Sequence, residues 1–490
     1  MSINIKSPEV ENRESRLGSI TGFAGTAKGL CDKSKEHKLC DRNRSFSQCL
    51  GCSSGNALCM LVMIQDAVVI NHAPLGCSAD FSDFNFTNRV GQRQRNLPLK
   101  NANLLSTNLE EKDMIYGGAT KLEATIREAF VRFNPKAIFV TASCASGIIG
   151  DDVSGVTDEL EKELGIPVVY ISCEGFKSKI WTTGFDASYH GLIRKIVKPP
   201  VNKQKDLVNV INFWGSDIFT DLFKRIGLRP NYIVPFTNIS QLEKISEAAA
   251  TVQICATLGT YLAAALEQEY GVPEVKSPPA YGLKGTDEWF RELGRITGKE
   301  KEVEILIKEE RERIAPELEE LRKKLKGKRV YITAGAAHGH SLLALLSELG
   351  LEIAGAAIFH HDPCYDNRDD RSNALGHVVE TYGDIPNYNV CNKQVFELVN
   401  VLNRLKPDVF VARHGGLSVW GAKLGIPTFL MGDEHFGLGY QGMINYGNKI
   451  LDTLATREFV ENIAAHSSLP YTDWWLKQSP YTFLEEDTNE

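Results

Sequence analysis

The 490-residue sequence has no apolar run approaching the roughly 20 residues that a membrane-spanning helix needs, so insertion into a bilayer is not expected. Met1 to Arg16 is polar and charged and lacks the apolar centre of a secretory signal, which makes the chain an expected cytoplasmic protein. It also lacks any basic tract interleaved with aromatics, and its net charge is −7, so nucleic acid is not expected as a partner. Short repeats and low-complexity tracts are missing as well. Eleven cysteines in a long chain without a signal segment argue against a disulfide scaffold and for metal binding.

What is present is the composition of a soluble globular protein, with 43% hydrophobic and 24% charged residues. The length accommodates roughly three domains of ordinary size. From about Phe130 onward, short β-branched runs alternate with helical stretches, which is the pattern of βαβ units around parallel sheets. The expected strands are Ala137 to Thr141, Val168 to Ser172, Val208 to Phe213, Tyr232 to Pro235, Val330 to Thr333, Ile353 to Phe359, Val409 to Ala412 and Thr428 to Met431. Lys299 to Lys328 reads as a long exposed helix, kinked or interrupted at Pro316, and Lys198-Pro199-Pro200 marks a second break. The expected fold class is α/β, with three Rossmann-like subdomains on parallel sheets. Residues 1–200 form the first subdomain with an added cysteine segment, 201–327 the second, and 328–490 the third with the carboxyl-terminal tail.

Three cysteines stand out. Cys52, Cys77 and Cys144 each lie near glycines at a break between apolar runs, and the apolar run Ala137 to Thr141 ends just before Cys144. Open α/β sheets gather ligands at such carboxyl-terminal strand edges, and soft thiolates prefer iron-sulfur clusters, zinc or copper(I). Any one of these thiols read alone is ordinary core packing. All three together point to one iron-sulfur site assembled from distant sequence. Cys49 and Cys52, with Cys31 and Cys40, offer a zinc reading, but the partner spacing is irregular and a second Cys-x-x-Cys is missing. Asp151-Asp152 reads as helix capping rather than a cation site.

Several motifs carry a resemblance that spans nearly the whole chain. They are Cys52, His72-Ala73-Pro74-Leu75-Gly76-Cys77, Glu111 to Gly118, Cys144 with Gly150-Asp151-Asp152, Cys173-Glu174-Gly175-Phe176, and Cys255 ahead of Tyr261 to Pro273. In this order the chain resembles the α subunit of nitrogenase component 1 and its relatives. The resemblance implies that Cys52, Cys77 and Cys144 hold half of an eight-iron P-cluster shared with a β-like subunit in an α2β2 complex. It further implies that Cys255 ligates a large catalytic iron-sulfur cluster and that an Fe-protein-like reductase delivers electrons using MgATP.

The departures from that pattern bear on function. Five residues after Gly425-Ile426-Pro427, where nitrogenase places a cofactor-ligating histidine, stands Gly432. His435 is the first candidate for a replacement metal ligand, with His414 and His361 as the other histidines near strand ends. The substrate-side histidine pair that follows the counterpart of Gly184 is replaced by Phe185-Asp186, and the lysine that helps hold the organic acid is replaced near Gly416. These changes point away from a molybdenum-homocitrate cofactor and from dinitrogen reduction. The resemblance is strongest to methylthio-alkane reductases, which cleave carbon-sulfur bonds of small thioethers. The competing readings are a cofactor-assembly scaffold of the nitrogenase maturation type and a dinitrogen-reducing nitrogenase α subunit. Catalytic residues beyond the cluster ligands are not assigned by the sequence.

Overall fold

A computed structural model describes residues 3–40, 52–79, 81–212, 217–391, 395–413, 415–432 and 437–482. By contact the chain separates into two compact units, Met1–Arg13 with Gly51–Val275, and Glu14–Leu50 with Lys276–Glu490.

The first unit holds two parallel sheets. One has the order Leu104–Ser106, Ala67–His72, Ala137–Ala142, Val168–Ile171, with Ile70 opposite Val140 and Val140 opposite Tyr170. Its central strands are buried on both faces, as the continuous apolar runs require of a sheet sandwiched between helices. Val68, Ile70, Ile138 and Val140 pack there with Leu122, Ile126 and Leu160 from the covering helices. Each such side chain contributes about 1.5–3 kcal/mol by leaving water. The second sheet has the order Arg229–Ile233, Gln204–Ile211, Ala248–Gln253, also parallel.

The second unit is built on six strands in the order Gly22–Gly25, Tyr388–Cys391, Glu352–Ile358, Arg329–Ala334, Val409–Arg413, Thr428–Met431. All neighbours are parallel except Gly22–Gly25, which runs antiparallel along the edge at Tyr388–Cys391. The amino-terminal segment, read from sequence as part of the first subdomain, therefore contributes a strand to the third sheet. Its Gly-Phe-Ala-Gly sequence carries little strand signal, and the open edge of the sheet supplies the hydrogen bonds that make it one.

The long charged run forms one helix, Glu300–Leu325, that continues through Pro316 without interruption. Pro316 and Glu312 both lie on the exposed side. Water can satisfy the carbonyl that the proline leaves without a donor, while Val303, Leu306, Ile307, Ile314, Leu318 and Leu321 hold the opposite stripe in place. The paired prolines at 199 and 200 do separate the helix Thr183–Lys195 from the strand Gln204–Ile211.

Candidate metal-cluster site

The cysteines singled out from the sequence sit where the first unit's strands and loops turn into helices. Cys52 is the N-cap of Ser53–Leu61, and its sulfur accepts the Gly55 amide hydrogen at 3.5 Å. Cys144 opens Cys144–Ile149, directly after the strand Ala137–Ala142, with Ser143 as the cap. Cys77 lies in the turn Leu75–Ser78, reached from the neighbouring strand Ala67–His72.

The three thiols converge. A Cβ on Gly175 would stand 2.9 Å from Cys52 Cβ and 3.3 Å from Cys144 Sγ, so only glycine lets this backbone pass between them. Burial, followed by the charges of Cys52 and Cys144, raises the Cys77 thiol above its ordinary value. Among the described residues, only His340, His361 and Asp366 bring three ligand atoms within 4.8 Å of one another. The cysteine trio is thus too open for a single tetrahedral zinc, whose thiolates stand about 3.8 Å apart.

Its surroundings are apolar and open to solvent. Cys52 and Cys77 are exposed, and Leu75, Ile115, Tyr116, Ile148 and Phe176 all present large exposed side chains. The helices Glu111–Tyr116 and Cys144–Ile149 pack on each other, and Phe176 lies 3.2 Å from the Cβ position of Gly147, so much of this apolar surface is continuous. Patches of this kind mark protein interfaces. Cys173, by contrast, is buried and donates to the Ala142 carbonyl at 3.4 Å, and burial drives its thiol strongly up, which makes it an inert core residue.

Below the trio, His72 Nε2 meets Asp151 Oδ2 at 2.9 Å, and Nδ1 meets Thr107 Oγ1 at 3.1 Å. Asp152 alone caps the helix Val153–Leu164, so the capping read for the pair Asp151-Asp152 holds for one of the two. Asp151 instead fixes His72 and accepts the Gly118 amide hydrogen at 2.8 Å. Burial outweighs Asp151 and lowers the His72 pKa below its ordinary 6.5. The unfolded chain then takes up this proton at a higher pH than the folded one. Stability from His72 is complete above pH 6.5 and declines as pH falls below it. Unfolding midpoints measured down an acid series should therefore show the gap between wild type and His72→Gln narrowing as pH falls.

Cys255 caps Ala256–Tyr270 at the end of the strand Ala248–Gln253 and is buried, although its side chain does not cap the helix. The Tyr189 hydroxyl is fully buried without a hydrogen-bond partner, and the Cys255 charge acts on it. An orphaned donor beside a buried thiol fits a bound inorganic group. The helix Thr183–Lys195 packs on both Ser53–Leu61 and Ala256–Tyr270, so one element positions Cys52 and Cys255 together. Gly184 permits the first contact: a Cβ there would fall 2.0 Å from the Ser53 carbonyl oxygen. Gly184→Ala should lower stability by about 1–3 kcal/mol through overpacking and reduce retained iron by displacing Cys52. Gly55→Ala, where a Cβ meets nothing within 4 Å, should leave both unchanged or gain up to ~1 kcal/mol.

Sequence reading missed the buried pair on that helix. Arg13 Nε and Nη2 donate to Asp186 at 2.8 and 2.7 Å, and Nη2 also donates to the Thr257 carbonyl at 2.5 Å. The one signal available was a charged residue, Asp186, where helical spacing calls for a core position. His435, His414 and Cys49 lie outside the described residues. His361 is described but belongs to the second unit, where it meets His340 and Asp366.

Comparison with known proteins bears on the family and the fold. The family described as Nitrogenase component 1 type Oxidoreductase matches residues 52–455. The nitrogenase iron-molybdenum cofactor biosynthesis protein NifE of Methanococcus maripaludis is 29% identical over 464 residues, covering 90% of this chain and 92% of that one. The nitrogenase molybdenum-iron protein alpha chain of Methanococcus maripaludis is 28% identical over 416 residues, covering 80% and 83%. A solved structure of nitrogenase Cp1 superposes with a TM-score of 0.71 at 23% identity, covering 88% of this chain and 93% of that one, and shows the same fold. By the span of that family match and the similarity of these relatives, the chain belongs to the nitrogenase component 1 type oxidoreductase family, as an α-type chain.

Proposed function

We propose that this chain is the α-type subunit of a nitrogenase-like reductase that cleaves the carbon-sulfur bond of small methylthio-alkanes. The observation that carries this reading over dinitrogen reduction is the Arg13–Asp186 pair. At the helix where the resemblance places substrate-side histidines, this chain has Phe185 packed against Trp181 and Asp186 locked to Arg13 with both side chains fully buried. Positions 185 and 186 thus offer no imidazole to move a proton toward substrate, and His190, one turn further along the helix, is held by the Tyr261 hydroxyl at 2.6 Å and the Ser7 carbonyl at 2.9 Å.

Cys52, Cys77 and Cys144 would hold the relay cluster, against a β-like subunit seated on the exposed apolar surface around them. Cys255 would anchor the catalytic cluster, with His435 as a proposed second ligand. The clusters would supply low-potential electrons received from an ATP-dependent Fe-protein-like reductase. The reaction consumes two electrons and two protons, breaks the carbon-sulfur bond of the thioether, and releases an alkane and methanethiol. Tyr189 offers a hydroxyl hydrogen beside Cys255, and the closed packing of Ala256–Tyr270 excludes bulk water from that thiol. The domain division at residues 200 and 327 remains part of this proposal.

A second reading has its own support: the match to NifE, a cofactor biosynthesis protein, covers more of this chain than the alpha-chain match does. As a scaffold the chain would carry a cluster without turning over substrate. Anaerobic purification with the natural partners, metal analysis, and assay of dimethyl sulfide with the cognate reductase decide between them. Methane and methanethiol in equal amounts support the reductase. Cluster transfer to another protein without thioether turnover assigns the scaffold role, and ammonia from dinitrogen would overturn both. Expressed without its partner, the chain should be poor in iron.

A further inference from the structure

We propose that His340, His361 and Asp366 form a zinc site in the second unit, closing the amino-terminal segment onto the third sheet. His340 lies in the helix Ala336–Glu348 after the strand Arg329–Ala334, His361 follows the adjacent parallel strand Glu352–Ile358, and Asp366 ends the turn Pro363–Asp366. The site therefore stands at the carboxyl edge of two neighbouring parallel strands, where α/β sheets collect ligands.

The geometry fits one ion. His340 Nε2 is 3.4 Å from His361 Nδ1, His361 Nδ1 is 3.3 Å from Asp366 Oδ2, and His340 Nε2 is 3.9 Å from Asp366 Oδ2. A tetrahedral zinc with bonds of about 2.0–2.1 Å to nitrogen and oxygen has edges of about 3.3 Å. The three atoms thus outline one face of the tetrahedron and leave the fourth position open. The soft donor Cys31, on the helix Ala27–Lys35, is near enough for the Asp366 charge to act on its thiol.

The outer nitrogens are already committed to other partners. His340 Nδ1 meets the Tyr388 hydroxyl at 2.5 Å, and His361 Nε2 meets Ser34 Oγ at 3.1 Å, an oxygen that also accepts from Asn367 Nδ2 at 2.9 Å. Such contacts select the tautomers that turn His340 Nε2 and His361 Nδ1 inward as acceptors. Asp366 Oδ2 is buried and has no hydrogen-bond partner. A divalent cation between the three groups would give that orphaned oxygen the partner its burial denies it.

The test uses the full chain with its natural partner, grown with zinc supplied and dialysed against chelator. About one zinc per chain is expected, with zinc-edge X-ray absorption showing nitrogen and oxygen scatterers at about 2.0–2.1 Å. Asp366→Asn and His361→Gln should each lower bound zinc by at least ~10-fold while iron content is unchanged. Zinc below about a tenth of an equivalent in the wild-type complex overturns the proposal without reference to any variant, as does full zinc retention in both variants.

Discussion

Replacing Cys255 with alanine is expected to abolish turnover while the complex stays folded and keeps the iron proposed for Cys52, Cys77 and Cys144. The thiol makes no capping hydrogen bond to Ala256–Tyr270, so the helix start does not depend on it. The volume removed is one sulfur, and the cavity cost is correspondingly small, about 1 kcal/mol. The effect on the reaction is of another order. Loss of a partner that merely orients a metal ligand costs roughly 10–100-fold, and loss of the ligand itself must exceed that. Iron analysis and thioether turnover of the Cys255→Ala complex separate the two cysteine sites. Retained turnover within ~10-fold of wild type would remove Cys255 from the cluster. Tyr189→Phe gives the finer measurement, because it deletes the orphaned hydroxyl and leaves the ring in its packing.

The placement of Cys144 at a strand end was legible because the apolar run Ala137–Ala142 is followed by Ser143 and then a helical pattern. Val409–Arg413 and Thr428–Met431 were legible for the same reason. Other strands were not. Ala248–Gln253 reads Ala-Ala-Ala-Thr-Val-Gln, whose alanines favour a helix, and it is a strand because Gln204–Ile211 offers it a ladder. Pro316 signals a break that solvent on its exposed side makes unnecessary. His340 and Asp366 lie 26 residues apart in sequence, and Tyr388 and Ser34, which fix the rings, are farther still. Only the parallel pairing of Arg329–Ala334 with Glu352–Ile358 brings the two histidines together. Local pattern names the ends of elements, whereas sites formed across strands depend on sheet order that the pattern does not contain.

The Arg13–Asp186 pair is the clearest instance of that second kind, and its removal should have the largest effect on stability. Both side chains are fully buried, and Arg13 spans the amino-terminal segment, the helix Thr183–Lys195 and the first turn of Ala256–Tyr270 beside Cys255. Arg13→Met leaves a carboxylate in a dry interior, and Asp186→Leu leaves a guanidinium. Breaking a buried pair from one side costs about 3–5 kcal/mol, because the surviving charge stays buried without the opposite charge that offset its desolvation. The double variant Arg13→Met with Asp186→Leu removes both charges and fills the space with apolar atoms, so it should recover most of that loss. Denaturant midpoints of the four proteins measure the coupling as a double-mutant cycle. Turnover supplies the independent readout: if the pair positions the Cys255 helix, the double variant regains stability but not activity, since the Thr257 carbonyl has lost its donor and the helix start is no longer held in register with Cys255. Equal recovery of stability and turnover would reduce the pair to packing alone and return the substrate-side difference to Phe185.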